Sequence, residues 1–113
     1  MNPGDVVLIP LPQVGGGPPK LRPALLLANL PGPYQDLLLC GISTQLHLLT
    51  TDWDEHIAPG AADYATSGLR HASVIRLSYL YAATDTEVAG SIGRISEERL
   101  HRLQERLIKR LHS

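Results

Sequence analysis

Two cationic side chains, Lys20 and Arg22, follow a glycine- and proline-rich stretch near the start of the sequence. Arg22 is next to Pro23 and the apolar run Ala24–Ala28, which places the arginine where a mobile loop meets a strand. A guanidinium group is planar and has several N–H donors, so an arginine in a fixed position can bind phosphate oxygens. A solvated arginine at the start of a strand explains the same pattern, and the residues alone leave both interpretations open.

A second polar group, Ser43, Thr44 and Gln45, follows the apolar run Leu37–Ile42. Hydroxyl groups at the end of a strand can hydrogen-bond a phosphate or transfer a proton, but serine and threonine are also common in turns. The pattern therefore marks this strand end as a candidate binding site without assigning its chemistry.

Arg76 and Ser78 lie two residues apart in the strand candidate Ser73–Tyr81. Side chains alternate between the two faces of a strand, so we expect these two to point the same way and to present a cation beside a hydroxyl. The opposite face is then the core-facing one, with Ile75, Leu77, Tyr79 and Tyr81.

The segment from Asp52 to His56 contains four potential metal ligands, of which Asp52, Asp54 and His56 would share one side of an extended chain. No His-Glu-x-x-His motif or paired cysteine spacing accompanies them, and acidic loop residues are usually just solvated. The glycine run Gly15–Gly17 also lacks the spacing of a nucleotide-binding loop. The sequence therefore predicts neither a metal site nor a cofactor.

The elements that must position these side chains are short apolar runs separated by Pro, Gly, Asn and Asp, a pattern typical of a small β-barrel or sandwich. Two longer loops, Pro12–Pro23 and Thr50–Leu69, interrupt it. The strand candidates are Val6–Leu11, Ala24–Ala28, Leu37–Ile42, Ser73–Tyr81 and, with a weaker pattern, Val88–Ile95.

The last eighteen residues have the pattern of an amphipathic helix. Ser96 is a suitable N-cap, and Glu97 and Glu98 follow it in the positively polarised first turn. Residues 94–113 carry an excess of three positive charges, which could attract RNA or an acidic partner, but a solvated helix face explains them equally well. Leucines recur at intervals of three and four to give one apolar stripe of Leu100, Leu103, Leu107 and Leu111.

Composition limits the class of protein. With 113 residues and 12.3 kDa the chain has room for one domain, residues 1–113, and its 43% apolar content is ordinary for a globular protein. The single cysteine, Cys40, excludes an internal disulfide and is expected to pack as a small apolar residue. With no charged leader and no apolar run of about 18 residues, the sequence predicts a cytoplasmic protein without a membrane span.

Five segments, taken in order, carry a more specific pattern: Gly4–Val7, Leu21–Leu27, Leu39–Gln45, Ser73–Leu77 and Gly93–Ser96. They resemble the G-D-[IV]-V opening strand, the R-P-x-L-V-[IL] signature, the strand ending in [IV]-[TS]-x-Q, the S-V-[IV]-x-[LC] strand and the G-x-[IL]-[SPT] segment of the PemK/MazF family of toxin–antitoxin ribonucleases. The resemblance spans nearly the whole chain, and the order and spacing of the segments make it specific.

The resemblance implies a mainly β fold, an SH3-like barrel with a C-terminal helix, that forms a two-fold homodimer. It also implies cleavage of single-stranded RNA without metal and inhibition by a cognate antitoxin. By position, Arg22 corresponds to the family's phosphate-binding catalytic arginine and Ser43 to a catalytic threonine of many members. The residues then expected to bind the substrate are Lys20, Thr44, Gln45, Arg76 and Ser78.

The sequence departs from the family in two places. Relatives have polar residues before the R-P signature, where this chain has Val14–Pro19, and some have an acid two residues after the position of Arg76, where it has Ser78. No general base is therefore evident. An endoribonuclease toxin, a degenerate member that binds antitoxin or nucleic acid without cleavage, and a gyrase-directed toxin of the same fold all remain open.

Three consecutive glycines impose little backbone preference, so we expect Pro12–Pro19 to be mobile in the free protein and to become ordered over a ligand. Hydrogen–deuterium exchange should show rapid exchange of the loop amides in the free protein and slower exchange with RNA bound. Strong and equal protection of these amides with and without RNA would contradict a role for the loop as a lid.

Overall fold

The computed structural model describes residues 1–113, and its apolar runs form one six-stranded antiparallel sheet curved into a half-barrel. The predicted mainly β fold with a C-terminal helix is confirmed. The strands are β1 (Asp5–Leu11), β2 (Lys20–Asn29), β3 (Asp36–Ser43), β4 (Glu55–Ile57), β5 (Ser73–Thr84) and β6 (Gly90–Arg94), in the order β4-β5-β3-β2-β1-β6.

Two α-helices and two short 3₁₀ helices complete the structure. The helix α1 (Tyr64–Ser67) precedes β5, and α2 (Glu97–His112) ends the chain, with the 3₁₀ turns at Leu46–Leu48 and Asp85–Glu87. The predicted N-cap is confirmed, because the Ser96 hydroxyl accepts a hydrogen bond from the backbone of Arg99 at 3.1 Å. None of the helices combines the length and the apolar character that crossing a membrane requires.

The two faces of the sheet bury separate apolar clusters. The larger cluster includes Leu25, Cys40 and Leu77 from the strands together with Leu100, Leu103 and Leu107 from α2. Leu111, which we expected to continue the stripe, is 70% exposed, so the buried part of α2 ends at Leu107. Burial raises the pKa of the Cys40 thiol, which fits its expected role as a packed apolar residue. The smaller cluster, on the other face, contains Val7, Ile9, Ala24, Leu26, Leu37, Leu39 and Ala83.

Strand β2 begins earlier than the sequence suggested. Lys20 and Arg22 are within the strand, and Arg22 pairs with Ile9 of β1 rather than preceding the sheet. The early start is possible despite Pro23, because β2 pairs only with β1 at this point and its pairing with β3 begins at Ala24. A proline on such a locally unpaired edge costs no ladder hydrogen bond.

Strand β5 contains a large irregularity. Cys40 of β3 pairs with Leu80, whereas its neighbour Gly41 pairs with Arg76, so residues 77–79 have no partners in β3. Simple alternation therefore fails after Leu77. Tyr79, expected in the core, is 47% exposed, and Tyr81 packs against the smaller cluster on the other face.

The predicted loop Thr50–Leu69 contains two elements that the sequence analysis missed, β4 and α1. Helix α1 lies so close to β6 that two glycines are required. A Cβ at Gly93 would stand 2.3 Å from the Thr66 carbonyl oxygen, and a Cβ at Gly68 would stand 2.1 Å from the Ile92 carbonyl oxygen. Neither position can accept a side chain without movement of the backbone.

Two carboxylates fix α2 to the rest of the fold. Asp63, whose side chain is 6% exposed, accepts hydrogen bonds from Arg99 at 2.8 and 3.0 Å and from the Ser96 backbone at 3.1 Å. Glu55 binds three arginines of α2 at 2.8 Å, namely Arg99, Arg102 and Arg106. The positive charge of the helix is therefore largely neutralised within the protein.

The Asp63 contact predicts a pH-dependent contribution to stability. The hydrogen bonds from Arg99 lower the pKa of Asp63 from 3.8 to about 2. A lowered pKa stabilises the folded state above the unfolded pKa, and this stabilisation is lost as the pH falls through the folded value. Asp63→Asn should therefore cost about 2 kcal/mol at pH 7, a difference that shrinks between about pH 5 and pH 2.

Urea unfolding of wild type and Asp63→Asn at several pH values measures this difference. Asp36→Asn is the control, because the Asp36 carboxylate is half-buried but makes no hydrogen bond or ion pair. A loss of stability in Asp63→Asn that is the same at pH 7 and pH 3 would contradict the assignment.

Candidate active-site pocket

A pocket of about 440 Å³ opens where the ends of β2, β3 and β5 meet. It brings together five of the seven residues that the sequence analysis proposed for a site: Arg22, Ser43, Thr44, Gln45 and Arg76. These residues come from three strands and the turn after β3, so antiparallel pairing rather than sequence proximity assembles them.

The register of the sheet explains how these side chains converge. Arg76 of β5 lies opposite Gly41 of β3, and Ala24, two residues after Arg22, lies opposite the same glycine. Both arginines are therefore on the strands that flank β3, next to a position without a side chain. Ser43 follows Gly41 by two residues on the same face and completes this end of the pocket.

Ser43 has a defined hydrogen-bonding state. Its Oγ accepts a hydrogen bond from the backbone N–H of Gln45 at 3.1 Å. The hydroxyl proton has no acceptor within the protein and can be donated to an oxygen of a bound molecule. The geometry thus makes Ser43 a donor toward the pocket.

The two pocket arginines differ from most others in the chain. Arg22 and Arg76 make no ion pair and no hydrogen bond within the protein, and the Arg76 Nε atom is buried without a partner. No aspartate, glutamate or histidine lines the pocket, so nothing there neutralises the two charges. By contrast, carboxylates pair with each of Arg94, Arg99, Arg102, Arg106 and Arg110.

Arg76 is oriented by an aromatic ring rather than by a carboxylate. Its Cζ atom lies 5.1 Å from the centroid of the Tyr79 ring, within the range of a cation–π contact. Tyr79 also packs beside Gly41, where a Cβ would stand 3.4 Å from the tyrosine Cδ1 atom. Sequence reasoning missed Tyr79 as a pocket residue, although a glycine within an apolar strand such as β3 often marks a close approach.

The rest of the pocket wall is apolar. Leu11 and Val14 contribute from the end of β1 and the glycine-rich loop, and Leu48 contributes from the 3₁₀ turn after β3. The pocket therefore combines two cations and a hydroxyl with surfaces that suit a flat, uncharged group. A nucleotide, which carries a charged phosphate and a flat base, has this combination of properties.

Two of the proposed site residues are elsewhere. Lys20 is exposed at the start of β2, opposite Leu11, and does not line the pocket. Ser78 does not point the same way as Arg76, because the irregularity in β5 separates them. Its Oγ donates to Asp54 at 2.9 and 3.1 Å, and its backbone N–H donates to the same carboxylate at 3.0 Å.

The acidic residues between Asp52 and His56 bind different partners in the structure. Asp54 accepts hydrogen bonds from Ser78 and Thr50, and Glu55 binds the arginines of α2. Asp52 contacts Arg110 near the end of the chain. No three side chains of His, Cys, Asp or Glu lie close enough together to hold a metal ion.

The half-barrel is similar to solved toxin structures. The Mycobacterium tuberculosis toxin MazF-mt6 superposes with a TM-score of 0.69 at 16% identity, covering 96% of each chain. An endoribonuclease from a mycobacterial species, in complex with its cognate antitoxin, superposes with a TM-score of 0.68 at 16% identity, covering 99% of this chain and 95% of that one. These similarities show the fold.

Sequence comparison identifies the family. No curated protein sequence matches the chain significantly. The family profile described as PemK-like, MazF-like toxin of type II toxin–antitoxin system matches residues 2–111, almost the full length. The chain therefore belongs to the PemK-like, MazF-like family of toxins of type II toxin–antitoxin systems.

Proposed function

We propose that the chain is the toxin of a type II toxin–antitoxin system and a sequence-selective, metal-independent endoribonuclease that cuts single-stranded RNA. The observation that carries this proposal is the convergence of two unpaired arginines and a serine hydroxyl in one pocket without acidic residues. Family membership and the endoribonuclease among the similar structures support the same activity. Residues 1–113 form the single toxin domain in this proposal.

The cleavage step proceeds by attack of the ribose 2′ oxygen on the adjacent phosphorus. The P–O bond to the 5′ oxygen breaks and that oxygen takes a proton from water, leaving a 2′,3′-cyclic phosphate and a 5′ hydroxyl. Arg22 stabilises the negative charge of the phosphorane, the Ser43 hydroxyl donates to one of its oxygens, and Arg76 holds the phosphate in the pocket. These are interactions that strengthen as charge develops, which is what catalysis requires.

Proton transfer is the weak part of the site. None of the lining side chains is a good base near pH 7, so the 2′ proton passes to water. A general base typically contributes 10²–10⁴ in rate, so cleavage should be slower by about this factor than in an enzyme that has one. The remaining rate acceleration comes from positioning of the RNA and from the positive charge of the arginines.

The apolar wall supports binding of a flanking base. Leu11, Val14, Leu48 and the exposed ring of Tyr79 offer surfaces against which a nucleobase can pack. Stacking of a base on an aromatic side chain contributes about 1–3 kcal/mol and requires a single strand, since both faces of a base inside a duplex are stacked on neighbouring bases. Thr44 and Gln45 lie at the same end and can supply hydrogen bonds that select the base.

A second function is favoured by one specific observation. The absence of a side-chain base from the pocket fits a degenerate member that binds RNA or antitoxin without cutting. A gyrase-directed toxin acting through the C-terminal helix has less support, because Glu55 neutralises three of the arginines on α2. The endoribonuclease and the degenerate member would both bind RNA, and only the endoribonuclease would cleave it.

A cognate antitoxin and a second copy of the chain are the proposed partners, in the cytoplasm. The similar endoribonuclease was solved with its antitoxin, which supports the first. The second rests on the family pattern together with exposed apolar side chains, of which Leu21 is 50% and Tyr34 72% exposed.

We expect the free protein to be a two-fold dimer. Light scattering at micromolar concentration should give about twice the 12.3 kDa mass of the chain. The result should be independent of RNA and of salt at moderate concentrations, because an interface of this kind depends mainly on buried apolar area. A strict monomer under these conditions would weigh heavily against the proposed assembly.

Arg22 should be required for cleavage, and lysine should not replace it. Arg22→Lys keeps the charge but loses the planar, multi-donor geometry that matches phosphate oxygens. We expect both Arg22→Lys and Arg22→Ala to lower the cleavage rate of a long RNA by about 10²–10³, with melting temperatures close to that of wild type. Arg76→Ala should have a milder effect, mainly on binding.

The matched control is Arg70→Ala, since Arg70 is also exposed and unpaired but lies outside this pocket. It should cleave like wild type. Full cleavage by Arg22→Ala would remove the catalytic assignment. Binding of RNA by wild type without cleavage would identify the degenerate member instead.

A further inference from the structure

The irregularity in β5 leaves a stretch of backbone without a normal strand partner. Residues 77–79 have no partners in β3, and β4 on the other side pairs only with Ser73–Ile75. The backbone N–H of Ser78 therefore lies beyond both ladders. Its acceptor is the Asp54 carboxylate, with Oδ1 at 3.0 Å.

Asp54 uses almost all of its acceptor capacity on neutral groups. The residue is 8% exposed and precedes β4. Besides the Ser78 backbone it accepts the Ser78 hydroxyl at 2.9 and 3.1 Å, and its Oδ2 accepts the Thr50 backbone N–H at 2.8 Å. One carboxylate thus connects the irregular part of β5 with Thr50, two residues after the pocket residue Leu48.

This carboxylate has no cationic partner, unlike Asp63 and Glu55. Burying a carboxylate is costly unless donors surround it, and here those donors are two backbone N–H groups and one hydroxyl. An amide cannot replace it, because asparagine has one acceptor oxygen and would turn its NH₂ group toward another donor. The site therefore requires aspartate for its geometry.

The contact that orients Arg76 in the pocket is aromatic. The Arg76 side chain makes no hydrogen bond within the protein, and its Cζ atom lies 5.1 Å from the centroid of the Tyr79 ring. Tyr79 reaches the pocket because it follows Ser78 in the irregular segment. We propose that Asp54 is a positioning residue that holds Arg76 and Tyr79 in the pocket through Ser78. The proposal rests on the proposed function for its effect on RNA, but not for its effect on Arg76.

A purely structural role for Asp54, as a cap of the turn from Thr50, predicts a loss of stability alone. The test therefore compares Asp54→Asn with Asp63→Asn, which removes an equally buried carboxylate that contacts α2 and not the pocket. Ser78→Ala is the second variant. It removes the hydroxyl contacts and leaves the backbone bond, so it reports on the same connection if Asp54→Asn does not fold.

The first readout is the Arg76 Nε–H signal in ¹H–¹⁵N spectra of the free protein, assigned by its loss in Arg76→Lys. We expect Asp54→Asn to shift this signal and to speed its exchange with water by about tenfold or more, with a smaller change of the same kind in Ser78→Ala. Asp63→Asn should leave the signal unchanged while lowering the melting temperature. An unchanged Arg76 signal in both Asp54→Asn and Ser78→Ala would overturn the proposal.

The second readout is a double-mutant cycle on the affinity for a heteropolymeric single-stranded RNA at fixed salt. Asp54→Asn should weaken binding about tenfold, and adding it to Arg76→Ala should cause little further loss, because both changes remove the same contact. Additive losses would show that Asp54 acts independently of Arg76 and would overturn the proposal. If wild type binds no RNA, the proposed function fails, and the Arg76 signal still decides the positioning role.

Discussion

The burial of Leu100, Leu103 and Leu107 of α2 against one face of the sheet is the contact on which the rest of the structure depends. A six-stranded sheet of short strands cannot cover both of its faces, and an apolar face must pack against another element. Helix α2 covers the larger cluster, and the smaller cluster forms on the other face of the sheet. The ends of β2, β3 and β5 are not covered by the helix and form the pocket. The helix contributes to the site by leaving that end uncovered.

The same contact divides the arginines into two groups. Glu55 and Asp63, in the segment before β5, neutralise Arg99, Arg102 and Arg106 of α2. Exposed ion pairs contribute little to stability, but these carboxylates are largely buried and each accepts several bonds, so they fix the helix in place. With the helix charges used internally, Arg22 and Arg76 provide the unpaired positive charge at the pocket.

The sequence predicted most of the fold, and the structure brings five of the seven candidate residues together in one pocket. The differences between expectation and structure have physical causes. Long periodic elements such as α2 were predictable because pattern and N-cap agree. The elements β4 and α1 have three and four residues, too few for a period, and they depend on close packing such as that of Gly93 against α1. Ser78 and Tyr79 were misplaced because alternation assumes an unbroken ladder, and three residues of β5 lack partners in β3. No local feature of the sequence predicts the irregularity in β5.

The irregularity in β5 also concerns the position, two residues after Arg76, where some relatives have an acidic residue. Where they have a carboxyl group two residues after the position of Arg76, this chain has Ser78, whose hydroxyl donates to Asp54. A carboxylate is thus present near β5, but it is 8% exposed, it accepts four contacts, and it does not line the pocket. A base needs a lone pair that faces the proton it removes, and the lone pairs of Asp54 face the backbone and hydroxyl donors that it holds. The carboxylate here contributes geometry, and the chemistry of the pocket depends on fixed positive charge and one hydroxyl donor.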